Sequence, residues 1–197
     1  MSAVAFDNTM LSILLNPDDK PVYHPGTDNP LELALERAES VVALIEKARR
    51  KIILPAPACA ELLTAIGPDA QQYLNIVGRS RVFESGNFDA RGAAELALLN
   101  RGPFATNDEK DRLEPYQKRK VDRQIVAICK VYGVTELYTD DGGLAKSARL
   151  CGITPISLSE VPIPETAKQH SLELEAHEEL PEPENDSPQP EAKIPSR

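Results

Sequence analysis

VTELYTDDGGLAKSARLCGITPISL, residues 134–158, contains the pattern of a strand, a helix and a second strand. Val134–Thr139 is predicted to be a strand, and Leu144–Leu150 has the apolar spacing of a helix that ends before Gly152. Ile153–Leu158 is predicted to be the next strand. Strands that are joined through a helix pair in parallel, so this segment indicates a parallel sheet with helices packed against it.

The same alternation runs through the first 163 residues. Further strands are predicted at Ser2–Phe6, Ile52–Leu54 and Arg81–Glu84, and helices at Asn8–Leu15, from Asn29-Pro30 to Lys51, and at Pro57–Ile66, Asp69–Val77, Asp89–Leu99 and Val121–Tyr132. Residues 103–120 are charged and lack a regular apolar pattern, so they are predicted to be irregular. We therefore expect an α/β fold, a three-layer sandwich with a mainly parallel central sheet and helices on both faces.

The composition changes at Pro164. Residues 164–197 contain six prolines and nine acidic residues against three basic ones, with few large apolar side chains. Such a segment cannot bury enough apolar surface to offset its chain entropy, so residues 164–197 are predicted to be a disordered acidic tail behind a folded domain of residues 1–163. The tail carries −6 of the net charge of −9, which leaves −3 for residues 1–163. The domain is therefore close to neutral, and its charge argues neither for nor against a nucleic-acid partner.

Several classes of protein are disfavoured by the sequence. Cys59, Cys129 and Cys151 are odd in number and lack the spacing of a disulfide framework or a zinc site, which favours a reducing compartment. The first fifteen residues contain Asp7 and no Lys or Arg, unlike a secretory signal. No apolar run approaches the ~20 residues of a membrane span. We expect a cytoplasmic protein with no membrane partner.

Five acidic residues lie where a carboxylate is unusual. Asp7 follows the first strand, and Asp140 and Asp141 follow the strand that begins at Val134. Glu61 has Ala58 and Ala65 one turn away on its helix, and Asp122 begins a helix that is apolar nearly all round. Taken singly, each has an ordinary structural explanation as a helix cap, a turn residue or an exposed side chain.

Taken together, these acids indicate a metal site. In a parallel sheet, the residues that follow adjacent strands meet at one edge. Two carboxylates ~5 Å apart repel by roughly 3 kcal/mol at an effective dielectric of ~20, so a cluster of them requires a counter-charge. Oxygen ligands favour Mg²⁺ or Mn²⁺ over zinc, and a carboxylate-bound ion suits phosphoryl transfer. His24, His170 and His177 lie in the predicted loop and tail, which argues against a histidine-based site.

Residues 3–158 resemble the PIN domain, a family best represented by VapC-type toxin ribonucleases. The resemblance rests on four motifs in the same order as in the family: Asp7-Asn8-Thr9 after the first strand, Ala60-Glu61-Leu62, Val121-Asp122-Arg123-Gln124-Ile125-Val126-Ala127, and Tyr138-Thr139-Asp140-Asp141 followed by Leu144-Ala145. All four motifs occur in this order within a matching pattern of strands and helices.

The resemblance implies a metal-dependent endoribonuclease that acts on single-stranded RNA, with the role of toxin in a toxin–antitoxin pair as one form of that activity. By position, it implies that Asp7, Glu61, Asp122 and Asp141 are the catalytic residues and, with Asp140 as an auxiliary, the ligands of Mg²⁺ or Mn²⁺. It further implies that Asn8 and Thr139 support these ligands or position a water. The family also suggests a small antitoxin partner and a homodimer.

The basic residues Lys118, Arg119, Lys120 and Arg123 lie beside Asp122 in the sequence and are candidates to bind RNA phosphates. An equally good interpretation is a solvated charged loop that balances the acidic residues between positions 108 and 114.

Two other functions are compatible with parts of the sequence. One is a catalytically silent PIN-like module that binds RNA or a protein partner, which the intact acids at all four positions argue against. The other is a phosphatase or receiver-like domain built on Asp140 and Asp141, which is disfavoured because no nucleophile motif or phosphate-binding lysine occurs at a suitable place.

Overall fold

A computed structural model describes residues 2–16, 21–105, 115–165 and 167 of the chain. A five-stranded sheet forms its centre, with strands β1 (Ala3–Phe6), β2 (Ile52–Pro55), β3 (Phe83–Gly86), β4 (Val134–Tyr138) and β5 (Thr154–Ile156). The strand order is β3-β2-β1-β4-β5, and every neighbouring pair is parallel. The first strand therefore lies in the middle, and its carboxyl end is adjacent to that of β4.

Seven α-helices accompany these strands in the described part of the chain: α1 (Asn8–Leu15), α2 (Ala34–Lys47), α3 (Ala56–Ile66), α4 (Ala70–Arg79), α5 (Ala90–Arg101), α6 (Tyr116–Val131) and α7 (Gly142–Leu150). Short 3₁₀ turns lie at Gly67–Asp69 and Leu158–Glu160. The predicted three-layer α/β fold is confirmed.

Each face of the sheet has its own apolar core, because side chains alternate along a strand. Val4 and Phe6 of β1 point into one core together with side chains of α1 and α2. Ala3 and Ala5 point into the other core, where the middle of α6 is buried from Ile125 to Cys129. Helix α3 reaches both cores, since Ala58 belongs to one and Leu62 to the other.

Two helix starts differ from the prediction. Helix α2 begins at Ala34 and not at Asn29-Pro30, because Pro30 forms a bridge with Tyr23 and Leu33 adopts a left-handed backbone with φ 54°. Helix α6 begins at Tyr116 and not at Val121, so residues 116–120 form its first turn and a half and are not irregular. The basic residues beside Asp122 are therefore helical, which fixes the direction of their side chains.

The chain divides into two compact units after Pro164. Met1–Pro164 forms one unit that contains the whole sheet and both cores, and Glu165–Arg197 forms a second. The predicted disorder of the acidic tail falls almost entirely outside the described residues. Within those residues, no helix combines the length and the apolar character that crossing a membrane demands.

Candidate active site

A cavity of about 410 Å³ opens where the carboxyl ends of β1 and β4 meet. Four of the predicted acidic residues line it, and each comes from a different part of the fold. Asp7 joins β1 to α1, Asp141 precedes α7, and Glu61 and Asp122 lie within α3 and α6. The remaining lining includes Asn8, Thr9, Gln117, Lys118 and four apolar side chains.

Asp7 is the most buried of these carboxylates, with 4% of the residue exposed. Its Oδ1 accepts a hydrogen bond from the Met10 amide at 3.0 Å, so the side chain caps helix α1. Burial raises the pKa of Asp7 to about 7, although hydrogen bonds from the Thr139 hydroxyl and the Met10 amide act in the opposite direction. The charges of Asp140 and Asp141 raise it further.

Asp141 has both carboxylate oxygens engaged. Oδ1 accepts from the amides of Gly143 at 2.8 Å and Leu144 at 3.0 Å and thereby caps α7. Oδ2 forms an ion pair with Nζ of Lys118 at 2.8 Å. Burial favours a raised pKa at Asp141, but the Lys118 ammonium and the two amides outweigh it and hold the pKa below its ordinary value. Asp141 is therefore a carboxylate at neutral pH.

Asp122 and Glu61 differ in exposure. Asp122 is 5% exposed within α6, one helical turn after Lys118, and the two side chains lie on the same face of the helix. Glu61 is exposed on α3 at the edge of the cavity. A buried and a solvent-facing acid thus lie on opposite helices of one cleft.

Asp140 lies elsewhere. It lines a second cavity of about 430 Å³ together with His24, Arg149 and Ser157, among others. Its Oδ1 accepts a hydrogen bond from the Leu158 amide at 3.3 Å. The structure therefore brings together Asp7, Glu61, Asp122 and Asp141 and does not bring Asp140 into their cavity.

Asn8 and Thr139 are both close to the acids, as expected from their positions in the sequence. Asn8 lines the cavity, and its buried Oδ1 has no hydrogen-bond partner among the described residues. Thr139 is 4% exposed, and its Oγ1 bonds to Asp7 while accepting from the Asp141 amide at 3.1 Å. One hydroxyl thus connects the acids that follow β1 and β4.

The four basic residues that are predicted to bind RNA have different surroundings. Lys118 lines the cavity, and Lys120 is exposed to solvent. The Arg119 guanidinium lies 5.9 Å from the centre of the Tyr116 ring. The Arg123 guanidinium lies 4.8 Å from the centre of the Phe104 ring and donates to Asn100 at 3.1 Å. Arg123 is therefore held against α5 and the segment that follows it.

The sequence predicts Lys118 as an RNA contact and does not reveal its ion pair with Asp141. Lys118 and Asp122 are four residues apart, so on a helix they lie on the same face. This spacing places Lys118 toward the acidic site only if residues 116–120 are helical, and the structure shows that α6 starts at Tyr116.

The donor set fits a hard divalent cation, because the carboxylates that line the cavity offer only oxygen ligands and Asn8 adds an amide oxygen. These groups do not form a closed set of ligands in the structure. Among the described residues, no three His, Cys, Asp or Glu side chains are arranged closely enough to hold a metal ion. Binding would therefore require the carboxylates to move together.

No family model matches the sequence. No curated protein matches it either. Comparison with solved structures finds the crystal structure of VapBC2 from Rickettsia felis bound to a DNA fragment from their promoter, with a TM-score of 0.51. The match covers 79% of this chain and 98% of the other at 13% sequence identity. The fold is PIN-like. At this identity the likeness extends to the fold, and the function is argued from the cavity.

Proposed function

We propose that this chain is a metal-dependent endoribonuclease that hydrolyses phosphodiester bonds of single-stranded RNA. The observation that carries the proposal is the cavity itself, where Asp7, Glu61, Asp122 and Asp141 arrive from four separate elements. Four carboxylates that line one cleft repel one another and destabilise the fold. A purely structural role therefore does not account for them.

In this proposal the four acids hold Mg²⁺ or Mn²⁺, with Asp140 as an auxiliary that acts from outside the cavity. An ion held by these acids would supply a water of lowered pKa and a counter-charge for the leaving oxygen. Thr139 keeps Asp7 and Asp141 in register through its hydroxyl, and the Asn8 amide oxygen is placed to orient a water. Asp7 acts as a ligand in its deprotonated form.

The RNA is held by the basic first turns of α6. Lys120 is exposed, and Lys118 and Arg119 precede it on the same helix that carries Asp122. A phosphate bound there lies within a helical turn of the acidic cavity. Arg123, which is held by Phe104 and Asn100, contributes to the shape of this surface more than to phosphate binding.

We further propose that the chain is the toxin of a toxin–antitoxin pair, with a small antitoxin protein as its partner and a homodimer as its assembly. The support is the likeness of the fold to VapBC2. A small gene immediately upstream, whose product binds this chain on co-expression, is the expected finding. Purification of the co-expressed chain without that product would contradict the toxin role and leave the nuclease proposal intact.

The test of the nuclease proposal is cleavage of labelled single-stranded RNA by the full chain in Mg²⁺, in Mn²⁺ and in a chelator. We expect cleavage in either metal, none in the chelator, and a loss of at least about a hundredfold in rate for Asp122→Asn. Asp89→Asn is the matched control, because Asp89 is an exposed helix cap that does not line the cavity and asparagine caps a helix equally well.

A saturable rise of the melting temperature with metal is the second readout, because an ion that binds the folded state stabilises it. Calorimetry that detects no binding at millimolar metal would contradict the enzyme. Retained RNA binding without cleavage would support the alternative of a silent PIN-like module. The Lys118–Asp141 ion pair is the observation that favours that alternative, since it occupies one proposed ligand.

A further inference from the structure

The ammonium of Lys118 lies at the mouth of the acidic cavity, where it contacts an acid from another element. Its Nζ is 2.8 Å from Oδ2 of Asp141, an acid that follows β4 on a different element. The Lys118 side chain is 44% exposed and that of Asp141 is 33% exposed, so the pair lies at the mouth of the cavity. Neither partner is buried in the core, and a lysine ammonium on its flexible four-carbon stem can reach more than one acceptor.

We propose that Lys118 is a tethered counter-ion of the cavity, which neutralises Asp141 until a divalent cation binds and then moves to a phosphate of the RNA. The inference rests on the proposed function and deepens it. It assigns to one residue both the charge balance of the metal-free cavity and part of the recognition of the substrate.

The oxygens of Asp141 determine why the two cations compete. Oδ1 already accepts two amide hydrogens at the start of α7, so Oδ2 is the oxygen that a metal ion would use. That oxygen is the one bonded to Lys118. A divalent ion at Oδ2 would face the ammonium at a few ångströms, and like charges at that distance repel strongly. Binding of a divalent ion at Oδ2 would therefore release Lys118 from Asp141.

The helix determines where Lys118 goes next. It lies in the first turns of α6 next to exposed Lys120, on the rim where RNA phosphates are proposed to bind. A lysine ammonium is a compact charge with three donors, which suits a phosphate as well as a carboxylate. Release of Lys118 by the metal thus couples metal binding to RNA binding.

The test is Mn²⁺ binding to the full chain by calorimetry at low ionic strength, without RNA. We expect Lys118→Met to bind Mn²⁺ about tenfold more tightly than the wild type, because the competing ammonium is gone. Lys47→Met is the matched control: it removes the same charge from the exposed end of α2, outside the lining of the cavity, and should change the affinity little. Lys118→Arg, which keeps a cation on the same helix position, should retain the wild-type affinity.

A second readout is the salt dependence of binding to a cleavage-resistant single-stranded RNA analogue. In Mn²⁺, the wild type should show a slope steeper by about 0.7 than Lys118→Met, the value of one phosphate contact to a single strand. In a chelator the two slopes should agree, because Lys118 is then paired with Asp141.

The outcomes separate the two proposals. Equal or weaker Mn²⁺ binding by Lys118→Met, in a variant that melts cooperatively, would overturn the tethered counter-ion and leave the nuclease untouched. Absence of Mn²⁺ binding in both wild type and variant would overturn the metal-dependent nuclease. Tighter binding by Lys118→Met with no RNA cleavage by the wild type would support the counter-ion and contradict the enzyme.

Discussion

Asp140 and Asp141 are neighbours in the chain and lie in different cavities. Strand β4 ends at Tyr138, but the Thr139 amide still bonds to the Ile156 carbonyl, so the extended conformation continues for one more residue. Side chains alternate along extended backbone, and Thr139 and Asp141 are consequently on the same side. This geometry is the reason to assign the metal to Asp141 and an auxiliary role to Asp140.

The prediction from this geometry is that Asp141→Asn abolishes RNA cleavage while Asp140→Asn leaves a measurable fraction. Asparagine preserves the cap of α7 in the first variant, so its fold should persist. Initial rates at saturating Mg²⁺, with circular dichroism to verify folding, are the measurement. The reverse order of activities would show that Asp140 is the ligand and that the extended register does not control the site.

The raised pKa of Asp7 predicts how the stability of the metal-free protein depends on pH. The folded state keeps a proton on Asp7 up to a pKa of about 7, whereas the unfolded chain releases it near 3.8. Between these values the folded state binds more protons, so the free energy of unfolding falls as the pH rises. This contribution is fully present below pH 4 and is lost by pH 7, up to about 4 kcal/mol.

Chemical denaturation in a chelator from pH 4 to pH 8 measures this effect. Asp7→Asn removes the titrating group and keeps a side chain that caps α1, so its stability should vary less with pH and exceed that of the wild type at pH 7. Equal pH profiles for the two proteins would mean that Asp7 ionises freely in the fold.

At the scale of elements, the sequence predicted what apolar periodicity controls. All five strands and all seven helices of the described residues correspond to predicted elements. The acids that follow β1 and β4 are predicted as site residues because the sequence shows where these strands end. The sequence does not predict the start of α6, because residues 116–120 are polar, exposed or half-buried, and have no apolar face that indicates a helix. The predicted start of α2 is wrong because the bridge between Tyr23 and Pro30 depends on a contact that the local sequence does not reveal.

The candidate site was likewise predictable in its positions along the chain and not in its side-chain contacts. The presence of four acids at one sheet edge follows from topology, which the strand and helix pattern reveals. The ion pair of Lys118 and Asp141 depends on a helix start and on packing between α6 and α7, which are long-range contacts. The sequence therefore predicts Lys118 and Asp141 as site residues but does not predict that their side chains form an ion pair.

Strand β3 and helix α6 approach each other closely at Gly86, which makes this position a test of their packing. A Cβ at Gly86 would lie 2.7 Å from methyl groups of both Ile128 and Ile53, closer than real carbon contacts allow. Gly86→Ala should lower the free energy of unfolding by about 1–3 kcal/mol, as overpacking does in a filled core.

Gly78→Ala is the control for this prediction. Gly78 lies inside α4 with nothing within 4 Å of a Cβ, so alanine should stabilise the protein by roughly 0.5–1 kcal/mol through helix propensity. Urea denaturation of both variants is the measurement. A neutral Gly86→Ala would mean that β3 shifts outward easily and that the sheet edge is loosely held.

At the scale of the molecule, strand order determines where the chemistry is. β1 is central, with β2 and β3 on one side and β4 and β5 on the other, so the chain crosses from one half of the sheet to the other between β3 and β4. The crevice at such a point lies outside the carboxyl ends of the two central strands. Asp7 and Asp141 follow these two strands, and α3 and α6 deliver Glu61 and Asp122 to the same crevice.

The C-terminal end of the folded unit is packed against one of the two cores. Leu158 and Val161 are buried in one of the two cores, and Arg37 donates to the Val161 carbonyl. A chain truncated after Pro164 keeps the whole sheet and both cores, and we predict that its free energy of unfolding changes by less than about 1 kcal/mol.

A chain truncated after Gly152 is the control. It loses β5 together with Ile153, Leu158 and Val161, and it should fail to fold cooperatively. Circular dichroism and calorimetry of the two truncated chains and the full chain are the measurement. Destabilisation of the longer truncated chain by more than about 1–2 kcal/mol would mean that residues 165–197 contribute to the stability of the domain, contrary to the interpretation of their composition as a segment too poor in apolar surface to pack.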